Sequence, residues 1–128
     1  MTTAREVPPP LRMLVVDDEL GICDFLRTFF VRQGYDVRIA TSGGEALHVA
    51  KEFQPRVVLL DIRLHGISGL DVLEQLRRAD PACTVIMMTA VLEDSIMERA
   101  RQLGAADYIT KPFSLDYLER EVLKKLAG

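Results

Sequence analysis

The chain has 128 residues, 48% apolar and 27% charged, with a formal net charge of −3. That length suits a single domain able to bury a core without disulfides or metal staples, and the balance is that of a globular protein. No apolar run approaches the roughly 20 residues of a membrane helix, and no stripe of Lys or Arg marks a nucleic-acid surface. The nearest basic feature is Arg77-Arg78, better read as the solvated face of a helix than as a phosphate grip. Cys23 and Cys83 belong to no Cys-x-x-Cys or Cys/His cluster and are expected as free thiols in a reducing compartment.

The start, "MTTAREVPPPLR", lacks the apolar segment and cleavage site of a signal peptide, so a cytoplasmic location is expected. Its prolines favour extended chain, so residues 1–10 read as a flexible leader and residues 11–128 as the domain. "RMLVVDD" is a short apolar run closed by two acids, the form of a buried parallel strand. Ile22, Phe25, Leu26 and Phe29 then recur at helical spacing, and Gly34 supplies the stop.

"YDVRIA" alternates with period two, as an edge strand would. Ser42 and Glu45 form a capping box ahead of a stripe of Ala46, Leu47, Ala50 and Phe53, so Gly43-Gly44 begins a helix rather than a phosphate loop. "RVVLLD" is a third strand. Leu70, Val72, Leu73 and Leu76 mark a third helix ending before Asp80-Pro81. "TVIMMTA" is a fourth strand, followed by a helix through Ile96, Ala100 and Leu103 that ends at Gly104. "DYIT" leads into Lys111-Pro112, and Ser114 caps a last helix with Leu118, Val122 and Leu126 on one side.

Strands and helices alternate five times, and the strands are nearly continuous apolar runs. This predicts an α/β fold with a parallel sheet covered on both faces, of flavodoxin-like (βα)5 doubly wound type with strand order 2-1-3-4-5. In such sheets ligands bind beyond the carboxyl ends of the strands, where the strand order switches. Asp17-Asp18, Asp61, Thr89 and Lys111 all fall at those ends, and strands 1 and 3 are neighbours, so Asp17, Asp18 and Asp61 are expected in one cluster.

Crowded carboxylates repel, and a hard divalent cation relieves them. An all-oxygen set suits Mg²⁺ better than Zn²⁺. Lys111 adds a point charge for phosphate oxygens, Thr89 adds a hydroxyl donor, and a carboxylate can serve as nucleophile in phosphoryl transfer. Each residue also has a plainer reading: Asp18 as a helix cap, Thr89 as a turn residue, Lys111 as a surface lysine. Their joint placement at four strand ends is what favours a site.

"LVVDDE", "VVLLDIRLHGISGLDVL", "VIMMTA" and "GAADYITKPF" together resemble the receiver domain of two-component response regulators, the CheY-like superfamily, from about Leu11 onward. The resemblance implies that Asp61 accepts a phosphoryl group from a sensor histidine kinase or phosphotransfer protein, or from small acyl or amido phosphates. It implies Mg²⁺, with Mn²⁺ able to substitute, held by Asp18, Asp61 and the backbone carbonyl of Arg63, with Asp17 acting through water. Thr89 and Lys111 would bind phosphoryl oxygens, Ala90 would leave them room, and Lys111-Pro112 would be cis. Tyr108 would act with Thr89 as a switch that reshapes helix 4, strand 5 and helix 5, a surface open to a homodimer or an output partner. Such a domain catalyses only its own phosphorylation and dephosphorylation. It neither binds nucleic acid directly nor enters a membrane.

Two departures stand out. The loop after Asp61, often Met-Pro in that family, reads Leu64-His65-Gly66, which predicts a more mobile loop to which Gly66 and Gly69 contribute. His65 is expected exposed in that loop and His48 on the outer face of helix 2. The resemblance implies that Arg63 and Val91 flank the path of attacking water, and Val91 is expected to slow hydrolysis. Helix 1 near Gly21 and Ile22, with Pro112 and Phe113, is the expected docking face. The competing functions are a Mg²⁺-dependent phosphatase, disfavoured because "DDE" is not its Asp-x-Asp, and a binding module that never receives phosphate, disfavoured because Asp61 and Lys111 are both present.

Overall fold

The computed structural model describes residues 10–90 and 92–127, so Val91 and nearly all of the expected leader lie outside the described residues. Five strands, β1 (Arg12–Val16), β2 (Asp36–Ala40), β3 (Val57–Asp61), β4 (Thr84–Thr89) and β5 (Asp107–Thr110), form one sheet in the order β2-β1-β3-β4-β5. Every pairing is parallel. The order and the alternation are those expected from the sequence.

Between the strands run α1 (Leu20–Arg32), α2 (Gly43–Phe53), α3 (Gly69–Ala79) and α4 (Asp94–Gln102). A last helix, α5, runs through three consecutive segments, Leu115–Tyr117, a π-helical turn at Leu118–Val122, and Leu123–Ala127.

Alternate strand residues feed two cores, which is why the strands read as unbroken apolar runs. Met13, Val15, Leu59, Ile86, Met88 and Ile109 pack with Cys23, Leu26 and Phe30 of α1 and with Leu118 and Val122 of α5. Leu14, Val16, Val58, Leu60, Val85 and Met87 pack on the other face with Ala46 of α2, Val72 and Leu73 of α3, and Ala100 of α4. β2 is one of the two edge strands, and only Ala40 in it is buried.

On α1 the buried residues are Cys23, Leu26, Phe29 and Phe30, whereas Phe25 is 38% exposed. The sequence stripe therefore placed Phe25 on the wrong side. At about 100° per residue it lies well round the helix from the Cys23–Leu26–Phe30 seam.

Local signals set the helix ends. Ser42 Oγ accepts from Glu45 N at 3.2 Å, and the reciprocal Glu45 carboxylate takes Thr41 N at 2.7 Å. Ser68 and Ser114 cap α3 and α5 in the same way. Gly34 and Gly104 follow α1 and α4 with φ of +95° and +104°, a region where glycine carries no Cβ penalty. The Arg77-Arg78 pair divides its work. Arg78 pairs with Glu74 on the surface, while Arg77 Nη1 donates to Pro81 O and Cys83 O, both at 2.6 Å, and ties α3 to the start of β4.

Candidate functional site

The sheet register brings the predicted residues together. Val16 pairs with Leu60, Asp61 with Met88, and Thr89 with Thr110, so Asp17, Asp61, Thr89 and Lys111 emerge side by side at the carboxyl edge. Asp17 N still bonds Ala40 O at 3.1 Å and Lys111 N bonds Thr89 O at 2.8 Å, so the ladders hold these residues rigidly. Asp17, Asp61 and Thr89 are buried polar residues among otherwise apolar neighbours.

Lys111 links the acids. Its Nζ lies 2.6 Å from Asp17 Oδ2 and donates to Asp61 Oδ2 at 3.1 Å. The contact to Asp17 is the closer of the two and pairs the ammonium with the fully buried Asp17 Oδ2. Asp61, only 6% exposed, also accepts from Arg63 N through Oδ1 at 3.2 Å. Burial and then the Asp17 charge push the Asp61 carboxyl above its ordinary pKa, against the pull of Lys111. Burial disfavours the Lys111 ammonium, but its bonds to the two carboxylates outweigh this and raise its pKa.

A cavity of about 240 Å³ opens over this group, lined by Asp18, Glu19, Asp61, Arg63, Thr89, Ala90 and Lys111. Asp17, Asp18 and Glu19 each offer a carboxylate oxygen, and these lie within 4.8 Å of one another. Asp61 is not in that trio but joins Asp17 through Lys111, and Glu19, a cavity residue, is absent from the set read from the sequence. The run "DDE" was its signal. Asp18 is not the cap of α1, since the N-cap residue is Glu19. An all-oxygen donor set, with three carboxylate oxygens within 4.8 Å of one another, fits a hard cation such as Mg²⁺.

The Lys111-Pro112 peptide is cis, as the resemblance implies. Tyr108 stands 42% exposed beside a cavity of about 480 Å³ with Met87 and Met97 in its wall. His48 is exposed on α2, 3.7 Å from Glu52. His65 is exposed in the β3–α3 loop as expected, yet its Nδ1 lies 3.2 Å from Asp18 Oδ2, a pairing that depends on the loop's path and has no sequence signal. Gly69 differs from its expected role. It is buried against the backbone of Asp61 and Ile62, so it serves close packing rather than loop mobility.

An acid at the end of β3, a bridging lysine just after β5 and an acid pair after β1 thus meet at one edge of the sheet. Residues 13–123 match the family described as the response regulator receiver domain, and the chain belongs to that family. It is 34% identical over 114 residues to Sporulation initiation phosphotransferase F of Bacillus subtilis, covering 89% of this chain and 91% of that protein. It is 39% identical over 115 residues to Regulatory protein AtoC of Escherichia coli, but spans only 25% of that protein's length. Among solved structures, a CheY-like response regulator receiver domain protein from Methanospirillum hungatei superposes with a TM-score of 0.85 at 30% identity, over 92% of this chain and 94% of that one. The fold is therefore the CheY-like flavodoxin fold, and domains of this family are signalling switches that receive phosphoryl groups.

Proposed function

We propose that this chain is a phosphorelay receiver in which Asp61 takes a phosphoryl group from a phosphohistidine on a sensor histidine kinase or phosphotransfer protein. The observation that carries the reading is Lys111 Nζ bridging the buried Asp17 and Asp61, with Lys111, Asp61 and Thr89 lining one cavity. An Asp61 oxygen attacks phosphorus, the new O–P bond forms as the P–N bond breaks, and the leaving imidazole takes up a proton. Lys111 neutralises phosphoryl oxygens and the Thr89 hydroxyl donates to them. Asp18, Asp61 and the Arg63 carbonyl would hold Mg²⁺ or Mn²⁺, with Asp17 as a supporting acid acting through water. The ion supplies charge stabilisation at the phosphoryl oxygens. Hydrolysis of the aspartyl phosphate is the domain's own second reaction.

The donor docks over α1 and the segment after β5. A cavity of about 470 Å³ there, lined by Gly21, Ile22, Phe25, Ala90, Pro112 and Phe113 among others, adjoins the site through Lys111. The exposed Phe25 belongs to this surface rather than to the core. When Thr89 moves to the phosphoryl group, Tyr108 turns in toward the cavity beside α4, which changes the α4-β5-α5 surface for a second copy or an output partner. The domain works in the cytoplasm, a reading supported by free buried cysteines and by the lack of any helix among the described residues long and apolar enough to cross a membrane.

Intact-mass analysis with a small acyl phosphate tests the core of this proposal. One phosphoryl group should add only with Mg²⁺ present and should be lost in Asp61→Asn. Rapid turnover of phosphomonoesters, or phosphorylation that survives Asp61→Asn, would refute it.

A further inference from the structure

β5 is the edge strand next to the site, so alternate backbone N–H groups along it face away from β4 and need partners from elsewhere. Lys111 N donates inward to Thr89 O at 2.8 Å, which turns Thr110 N and Tyr108 N toward the open edge. Side chains fill both. Tyr108 N donates to Asp107 Oδ1 at 2.8 Å, and Asp107 Oδ2 accepts from Lys125 Nζ of α5 at 3.0 Å. Thr110 N donates to the hydroxyl oxygen of Tyr117, also on α5, at 3.3 Å. Tyr117 is itself held at both ends. Its N–H donates to the capping Ser114 Oγ at 3.0 Å, and its side chain packs against the core that contains Ile109, Leu118 and Val122. Helix α5 thus grips β5 at its start through Lys125 and at its end through Tyr117.

We propose that Tyr117 is a positioning residue for Lys111, its hydroxyl fixing the strand end from which the lysine reaches the reacting carboxylate. The proposal rests on the phosphotransfer reading above. Lys111 follows Thr110 directly, and its Nζ stands 2.6 Å from Asp17 Oδ2 and 3.1 Å from Asp61 Oδ2. A lysine stem is flexible, so an ammonium placed on two carboxylates needs a fixed backbone at its base. Two bonds from opposite sides supply that: Lys111 N to Thr89 O on β4, and Thr110 N to Tyr117 on α5. A tyrosine has only two side-chain torsions, and with its ring against the core it makes a stiff strut. The Lys125–Asp107 pair is more solvated, at 29% and 36% side-chain exposure, and lies at the far end of the strand from Lys111. The two grips of α5 are therefore separable, and only the Tyr117 grip bears on the site.

Tyr117→Phe tests this, because it keeps the ring and removes only the acceptor. Two quantities are read on the full chain: the rate of Mg²⁺-dependent phosphorylation by acetyl phosphate, and the ¹³C relaxation of the Lys111 ε-methylene in the unphosphorylated protein. Tyr117→Phe should slow phosphorylation by about tenfold, short of the roughly hundredfold that a 1 Å misplacement can cost, and should make the Lys111 side chain more mobile. Lys125→Met, which cuts the grip at the start of β5, should change neither, whereas general loosening of α5 would move both variants alike and overturn the proposal. Ser114→Ala frees the Tyr117 backbone while keeping the hydroxyl, and should shift both quantities in the same direction by less, which keeps the test open if Tyr117→Phe does not fold. Either quantity unchanged in folded Tyr117→Phe overturns the role of Tyr117 alone, provided that the wild type is phosphorylated. A wild-type chain that takes no phosphoryl group on Asp61 overturns the phosphotransfer reading itself.

Discussion

Gly69 opens α3 just beyond the loop that carries Asp61 and Arg63, and replacing it tests how tightly that loop is built. A Cβ added at Gly69 would stand 2.2 Å from Asp61 O and 2.7 Å from both Ile62 Cα and Ile62 O. The shortest of these is about 1.2 Å short of the 3.4 Å at which ordinary contact begins, and all three partners are backbone, which cannot swing aside as a side-chain tip can. Gly69 N also donates to Ile62 O at 2.9 Å, a bond that the displacement would stretch or break. Overpacking costs about 1–3 kcal/mol and a lost hydrogen bond about 1 kcal/mol, so Gly69→Ala should destabilise by about 2–4 kcal/mol. Because the displaced backbone belongs to Asp61 itself, phosphorylation by a small acyl phosphate should slow as well. Gly44→Ala is the matched control. It lies in α2 with nothing within 4 Å of the added Cβ, and should be neutral or stabilising by up to about 1 kcal/mol. Urea unfolding of both variants decides the matter. If Gly69→Ala unfolds within about 0.5 kcal/mol of wild type, the close-packing argument fails.

Three further outcomes follow from the same geometry. Phe30 is fully buried, with its ring edge-on to Phe29 at 4.9 Å and to Tyr35 at 5.5 Å, so Phe30→Ala should cost about 3–5 kcal/mol in urea unfolding. Burial, helped by the Asp80 charge, pushes the Cys83 thiol from 9.0 up to about 11. The folded chain therefore binds this proton more tightly than the unfolded chain, and stability falls as pH rises from 9 through 11, by about 3 kcal/mol in total. Cys83→Ala should flatten that alkaline slope, and an unchanged slope would refute the assignment. Asp61, also an acid raised by burial and by Asp17, destabilises the fold above its shifted pKa, and this cost fades as pH falls toward the ordinary carboxyl value of 3.8. Asp61→Asn should raise the urea midpoint at neutral pH in the presence of EDTA and lessen its pH dependence near that window, while abolishing Mg²⁺-dependent phosphorylation.

What the sequence made legible was whatever depended on strand ends and periodicity. Asp17, Asp61, Thr89 and Lys111 close apolar runs, and a parallel register must align such ends, so their meeting followed from strand order alone. The capping serines and the glycines after α1 and α4 were equally local. Phe25 was misplaced because several apolar residues on α1 compete for one face, and only the sheet determines which of them turns inward. Glu19 and the His65–Asp18 pairing escaped because loop paths, unlike strands, carry no period. The role of Gly69 was hidden for a related reason: a glycine needed for close approach looks in sequence like a glycine needed for mobility, and the backbone of Asp61 and Ile62 distinguishes them.

The electrostatics of the site explain why so few groups can serve both rest and signalling. Two buried carboxylates, Asp17 and Asp61, share one ammonium, and the raised pKa of Asp61 shows that Lys111 does not fully compensate them. On the proposed reading, Asp18 and Asp61 would hold a cation whose charge would offset that deficit, leaving Lys111 less bound to the carboxylates. Phosphorylation then moves negative charge outward from Asp61 to the phosphoryl oxygens. Lys111 is tied through its backbone to Thr89, its N–H donating to Thr89 O at 2.8 Å, so the lysine and the hydroxyl-bearing residue sit on adjoining strand ends. Tyr108 lies on the same short strand as the approach to Lys111, three residues before it, opposite Met87 in the wall of the α4 cavity. On the proposed reading, a displacement of charge at Asp61 would reach the exposed ring through these two neighbouring strands.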